Sequence, residues 1–315
     1  MFIVKNRKIF YTLSLILVAI SIIALFVWGL AFGIDFKGGS SAEFQYSVSR
    51  PSLDVVRAEI DGLNFEPTIK GSYSLVPTGN LGYILNLRTL TEQERASLVS
   101  VISANTANPV EIKKFNSVGP TLGQEAAIKS LISIILVVLC IVIFLTFAFR
   151  KVSEPVASWK YGVISIVALC HDIIIPTGIF AILNHFSHGY EIDTLFVTAI
   201  LVILGFSIHD TIVVFDRVRE NLRNNNGIRN PKNFEEIVGA SISQTFIRSI
   251  NTSLTTLLAI LVVYLVGPVA TKNFSLTLLV GIFFGTYSSI FIGSNLLVTV
   301  EAWQKTRNLI AKTKE

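Results

Sequence analysis

Charge is scarce in this chain. Asp, Glu, Lys and Arg make up only 15% of its 315 residues, half the chain is apolar, and Phe alone contributes 22 residues. A water-soluble domain of this length carries far more charge, so the composition points to a membrane protein. Cysteine is nearly missing. Cys140 and Cys170 both fall in apolar runs, which excludes a disulfide framework and zinc-type spacing and leaves two small packing residues. No Gly-rich phosphate loop and no nucleophile constellation occur, so neither nucleotide chemistry nor an enzyme is expected. The net charge of +5 does not indicate nucleic acid, because the basic residues collect at the ends of apolar runs.

Long apolar runs are what the chain has instead. They recur near 9–32, 127–149, 160–183, 194–215, 250–267 and 274–300, each long enough to cross a bilayer. Lys5, Arg7 and Lys8 before the first run, and Ala31-Phe-Gly33 after it, imitate a secretory signal. The run is too long for one, so it is expected to remain as an anchor. Basic residues crowd the N-tail, the second-to-third connection (Arg150, Lys151, Lys160), the fourth-to-fifth connection (Arg217, Arg219, Arg223, Arg229, Lys232, Arg248) and the C-tail (Lys305, Arg307, Lys312, Lys314). The short connections on the other face offer Lys272, so both termini are expected in the cytoplasm.

The expected fold is an α-helical polytopic membrane protein with six transmembrane helices and one α+β, ferredoxin-like periplasmic domain between helices one and two. Its parts are residues 1–33 (cytoplasmic N-tail and helix 1), 34–125 (periplasmic domain), 126–300 (helices 2–6) and 301–315 (cytoplasmic C-tail). The domain reads β-α-β-β-α-β. Strands are expected at Ser41–Tyr46, Thr68–Val76, Tyr83–Leu90 and Val110–Phe115, and helices at Pro51–Leu63 and 91–104, the second opened by a Thr91-Glu-Gln-Glu94 capping box. The connection 216–249 is broken near Asn224–Pro231. Its second half spaces Phe234, Ile237, Val238, Ile242 and Phe246 as an amphipathic helix suited to the membrane surface.

Polar residues inside apolar runs are the candidate functional groups. Asp210 lies within the fourth run, between His209 and Thr211, where a carboxyl is costly. The alternative is a buried Asp that merely hydrogen-bonds a neighbouring helix. Along span five and its cytoplasmic start, Gln244, Arg248, Asn251, Thr252 and Thr255 fall on one helical face, which is expected to look into the bundle. Counting from Thr194 places Asp210 about 24 Å deep, level with Arg248, so the two can pair; the alternative for Arg248 is a snorkelling interface anchor. His171-Asp172 in the third run lies about 20 Å from the opposite edge, so the two Asp residues should differ in depth by ~10 Å or more and form two stations of a polar path. Metal binding is not expected, because adjacent helical residues point ~100° apart. His185, His188, Glu191 and Asp193 read as a solvated turn. Gly281, Gly285, Ser289 and Gly293, with Ser288 beside them, give span six a small-residue face for close packing. Gly38-Gly39 reads as a hinge, with Asp35 and Lys37 as interfacial charges.

Six stretches appear together and in order: Phe32-Gly-Ile-Asp-Phe-Lys-Gly-Gly39, Val118-Gly-Pro-Thr-Leu-Gly-Gln-Glu125, Ala168-Leu-Cys-His-Asp-Ile173, Gly205–Asn221, Gln244–Leu257 and Thr286-Tyr-Ser-Ser-Ile-Phe-Ile292. With them the chain resembles the SecF branch of the SecD/SecF protein-export membrane proteins, in the RND-type transporter superfamily. The resemblance implies a subunit of the bacterial inner membrane that pairs with SecD beside the SecYEG channel, with YajC and YidC as further associates, and uses the proton-motive force to move preproteins. It implies no cofactor and no metal. It places Asp210 and Arg248 in the proton path, with Asp172, His171, His209, Thr211 and Thr252 as weaker candidates. Two departures stand out. His209 occupies a place where the family usually has Asn, and the Lys151-Val-Ser-Glu-Pro155 connection is longer and less aromatic than usual. The competing readings are half of a proton-coupled solute exporter and a structural scaffold subunit.

Overall fold

The computed structural model describes residues 2–63, 65–103, 108–150, 157–187, 189–225 and 233–313, with backbone alone for Ser158 and 308–313. The 151–155 connection, His188, and most of the 224–231 break with Arg229 and Lys232 lie outside the described residues, as do the Lys312 side chain and Lys314. The chain forms two compact units, residues 30–132 with 183–197, and residues 1–29, 133–182 and 198–315.

In the first unit, helix α3 (Ile34–Lys37) leads into β1 (Gly39–Tyr46), followed by α4 (Leu53–Asp61), β2 (Ser74–Thr78), β3 (Gly82–Leu87), α5 (Glu92–Ile102) and β4 (Val110–Val118). The sheet order is β2-β3-β1-β4 and every neighbouring pair is antiparallel, the ferredoxin-like arrangement that the order of elements led us to expect. Alternation along β1 and β3 sends Phe44, Tyr46, Tyr83 and Leu85 into a core closed by Val56, Ile60, Leu98 and Ile102 from the two helices. Each fully buried side chain of this size contributes roughly 1.5–3 kcal/mol. The capping box is present: Thr91 Oγ1 accepts from the Glu94 backbone N–H, and Glu94 Oε2 accepts from Thr91 N at 2.8 Å. The Arg88 guanidinium also binds Glu94, and these donors hold its carboxyl down at about 2.

The glycine pair has a steric cause. Gly38 and Gly39 both have positive φ, and a Cβ on Gly38 would sit 2.7 Å from Pro120 Cα, while one on Gly39 would sit 2.6 Å from Leu87 O. Gly123 approaches the same corner, its Cβ position lying 2.8 Å from Gly38 N. The corner is therefore tightly packed, and close backbone approach by itself calls for the glycines.

The second unit draws on α1 (Phe2–Lys5), α2 (Arg7–Trp28), α6 (Pro120–Ala148), α7 (Ser158–Ser187), α8 (Thr194–Asn225), α9 (Phe234–Val266), α10 (Lys272–Ser288) and α11 (Ser294–Thr313). A 3₁₀ turn (Val269–Thr271) precedes α10, and a π-helical segment (Ser289–Gly293) joins α10 to α11, so these pieces together make one span. Among the described residues, six helical stretches are long and apolar enough to cross a membrane.

The supposed surface helix is instead the start of α9. Asn233 caps it by accepting from Glu236 N at 2.9 Å, and Phe234, Ile237, Val238 and Ile242 are buried in protein rather than turned toward a membrane surface. Helix α9 packs against α1, α10 and α11, and from α8 Asn221 Nδ2 donates to Ser241 Oγ at 2.8 Å. Cys140 and Cys170 lie on outward faces, so they are not packed into the bundle.

The small-residue face of the last span lies along α8. A Cβ on Gly281 would fall inside the Ile203 side chain, and one on Gly285 would stand 3.1 Å from Ser207 Cβ. Gly281→Ala should therefore overpack the contact and cost about 1–3 kcal/mol, and adding Ile203→Ala should recover most of that loss. Thermal unfolding of the single and double variants in detergent tests this; strictly additive losses would contradict the contact.

Candidate functional site

Both membrane carboxyls are buried, with Asp172 at 0% exposure and Asp210 at 2%. Helix α7 carries Asp172 into the bundle, where its neighbours donate hydrogen bonds. Ser207 Oγ of α8 approaches Oδ2 at 2.5 Å and Ser288 Oγ of α10 at 2.9 Å, while His171 Nδ1 lies 2.9 Å from Oδ1. The His171 ring stacks on Tyr287, with centroids 6.2 Å apart. Its Nε2 is buried without a hydrogen-bond partner. Asp210 takes a longer contact, 3.4 Å from Ser253 Oγ of α9, and Ser253 shares a 2.6 Å hydrogen bond with Thr286 of α10. Thr211 Oγ1 meets Ser289 Oγ at 2.8 Å, and Ser289 donates back to the Ser207 carbonyl at 3.0 Å.

These contacts correct the depth reckoning. Asp172 is bonded at the level of Ser207, three residues from Asp210, so the carboxyls stand roughly one helical turn apart, about 4.5 Å along the axis. Helix offset is set by side-chain contacts, which the starts of the apolar runs do not reveal. The two groups belong to one hydroxyl-lined interior spanning α7, α8, α9 and α10.

The expected Asp210–Arg248 pair is absent among the described ion pairs. Arg248 is exposed, as are Gln244, Asn251, Thr252 and Thr255, so the polar face of α9 points out of the bundle. The buried face is Ile242, Thr245, Ser249 and Ser253. A polar face in an apolar span must meet protein, but that protein need not be the same chain. His209 is exposed too, while Thr211 and His171 face inward. The sequence reading missed Ser207, Ser253 and Thr286, and took Ser288 and Ser289 for packing residues. The available signal was position, since Ser207 precedes Asp210 by three residues and so shares its helical face.

In the other unit, the segment around Glu191 is a clamp, not a solvated turn. Gly33 N donates to Ile192 O at 2.9 Å, and Ile192 N donates to Ala31 O at 2.7 Å. Asp35 Oδ2 accepts from Thr194 N at 3.1 Å and from Thr194 Oγ1 at 2.5 Å, and Asp193 accepts from Phe196 N at 2.7 Å. Asn86 of β3 donates to Glu191 at 3.3 Å.

Burial pushes the Glu191 and Asp193 carboxyls above their ordinary range, opposed by the Asn86 amide at Glu191 and by the Phe196 N–H at Asp193; nearby acidic charge, Asp35 included, adds to the rise. A carboxyl raised in this way binds more protons folded than unfolded between its two values, so its contribution weakens the fold as pH rises through that window. The clamp should therefore tighten as pH falls through the folded values toward about 4. Exchange of the Gly33 and Ile192 amides, corrected for intrinsic pH dependence, should slow over that window, and Glu191→Gln should flatten the change. Equal slopes in wild type and variant would contradict it.

Comparison with known proteins agrees with this architecture. Residues 99–303 match the family described as protein export membrane protein SecD/SecF, C-terminal, and residues 23–49 match the SecD/SecF GG motif. A protein translocase subunit SecF from Thermobaculum terrenum is 42% identical over 306 residues, covering 95% of this chain and 93% of that one. Another from Anaerolinea thermophila is 35% identical, covering 95% and 94%. The crystal structure of SecDF, a translocon-associated membrane protein from Thermus thermophilus, superposes with a TM-score of 0.81 at 29% identity, over 96% of this chain and 38% of that one. SecDF in a super-membrane-facing form gives 0.63 at 27% identity, over 99% and 40%. The chain thus spans well under half the length of these solved proteins. With a family match over most of its length and relatives aligned almost end to end, the chain belongs to the SecF branch of the SecD/SecF family of protein-export membrane proteins.

Proposed function

We propose that this chain is the SecF-type half of a SecD–SecF assembly that uses the proton-motive force to promote protein export beside SecYEG. YajC and YidC are further associates, and translocating preproteins are the cargo. In this reading it sits in the bacterial inner membrane with both termini cytoplasmic and the α+β domain in the periplasm. Its role is accessory rather than catalytic.

One observation carries the reading: the carboxyls Asp172 and Asp210 are held inside the bundle by hydroxyls, while Arg248 faces outward within an apolar span. Asp210, with no ion pair to a cation among the described residues, can load and release protons. An outward cation on the polar stripe of α9 calls for a partner, and SecD supplies that surface. Proton loading at Asp210 changes which hydroxyl donates to it, and so favours a different packing of α8 against α9 and α10. A proton crossing 100 mV delivers ~2.3 kcal/mol, enough to bias an equilibrium between two packings. Asp210 and Arg248 thus keep their places in the path, but on opposite sides of the helix pair; Asp172, His171 and Thr211 belong to the inner side, and Thr252 to the outer.

Asp210→Asn should abolish gradient-dependent stimulation of export in reconstituted vesicles while SecD still co-purifies. Full stimulation would reject the proton role, and loss of SecD would favour the scaffold alternative. Arg248→Leu should release SecD on solubilisation; a complex that survives intact would remove the outer face from the interface.

A further inference from the structure

His209 is the outward-facing imidazole beside the inner carboxyl. Cross-links between α8 and α9 fix its level. Arg217 Nε donates to Gln244 Oε1 at 2.6 Å, Asn221 donates to Ser241, and Ser253 donates to Asp210. The helices therefore run antiparallel, with His209 level with Thr252 to Leu254 and about 6–9 Å along the axis from Arg248. Val202, Gly205 and His209 are exposed at alternating steps of three and four, along one line of α8. A Cβ on Gly205 would meet nothing within 4 Å, so packing inside this chain gives no reason for that glycine. It leaves room for another backbone to come close.

The titratable and charged groups around the imidazole are few. Asp210 follows it on α8 with its carboxyl on the inner side, and Arg248 stands across on α9. Asp216, two turns along, is taken by Arg219 at 2.6 Å. Asp172 and His171 of α7 lie with the inner hydroxyls and hold each other. Among the described ion pairs, none joins His209 or Arg248 to an acid. Two groups able to carry positive charge on one face in hydrocarbon require an acceptor from outside. An arginine can reach toward lipid phosphates, but the short imidazole cannot. The occupant that fits is therefore a transmembrane helix of the partner subunit that carries a carboxylate at this level.

We propose that His209 is a proton-exchange residue of that interface. The neutral ring accepts a proton on one nitrogen from the partner-facing side and releases the proton on its other nitrogen toward the Asp210 carboxylate. The ring ends as the opposite tautomer, and the net change is one proton moved inward. The proposal rests on the proton-driven reading above and adds to it the residue that connects the outer face with the inner carboxyl.

The test uses the two-subunit complex in vesicles, with gradient-dependent stimulation measured against pH. Wild type should show an inflection that depends on the imidazole. His209→Asn and His209→Gln should both lose that inflection while the partner still co-purifies. An inflection kept in both variants, its absence from wild type, or loss of the partner would each overturn the proposal, the last by reducing His209 to a contact residue. Asp210→Asn run alongside separates the two layers: stimulation surviving there sinks the proton-driven reading itself. If Asp210→Asn abolishes it while the His209 variants keep the inflection, the histidine's role alone falls.

Discussion

A carboxyl inside a dry helical bundle must be given hydrogen-bond partners, and here they are hydroxyls, joined at Asp172 by the His171 ring. Asp172 collects Ser207 and Ser288 from two different helices, and Asp210 takes Ser253 from a third. Because a serine reaches barely past its Cβ, the backbones must come close. Gly285 beside Ser207 and Gly281 beside Ile203 permit that approach. The small-residue face of the last span therefore exists to bring donors within reach of the acid. The π-helical segment serves the same geometry, since Ser288 and Ser289, adjacent in sequence, serve Asp172 and the Ser207 carbonyl respectively. Ser294 Oγ donates to Ser289 O at 2.9 Å, bonding one of the carbonyls in that unwound stretch.

Much of this was legible in the sequence. The small domain was readable because turn residues, the Thr91–Glu94 box and period-two alternation all agree on one order of elements, and antiparallel pairing then leaves few arrangements. The spans and the costly position of Asp210 followed from composition alone. Three things could not be read. Hydroxyls such as Ser241, Thr245 and Ser253 each bond the carbonyl four residues back, as mid-helix hydroxyls generally do, so nothing local marks which of them also serves an acid. Relative depth depends on how helices slide against each other, and apolar run lengths do not encode it. The outward turn of the α9 stripe was misjudged because a polar face demands protein contact without saying which chain provides it. The buried start of α9 was mistaken for a surface helix for a related reason: an amphipathic pattern identifies an apolar face but not what covers it.

A hydroxyl is a donor and an acceptor on a rotor, so a change of protonation at either carboxyl can be met by turning Ser207, Ser253 or Ser288 about one bond. A buried ion pair would behave differently. Neutralising one member would strand the other charge at a cost of several kcal/mol, and the bundle would resist the change. Hydroxyl solvation lowers that resistance, which suits the protonation cycle proposed above for Asp210. In the proposed function Arg248 stands on the outside, where a partner group moves with a separate subunit. The division of labour follows: the interior stays nearly neutral and reversible, while the strong charges are kept at a surface that another helix can approach or leave. Coupling between proton and movement then needs no broken salt bridge within this chain. It needs only that the hydroxyl pattern favoured by the protonated acid fit one packing of α8, α9 and α10 better than the other.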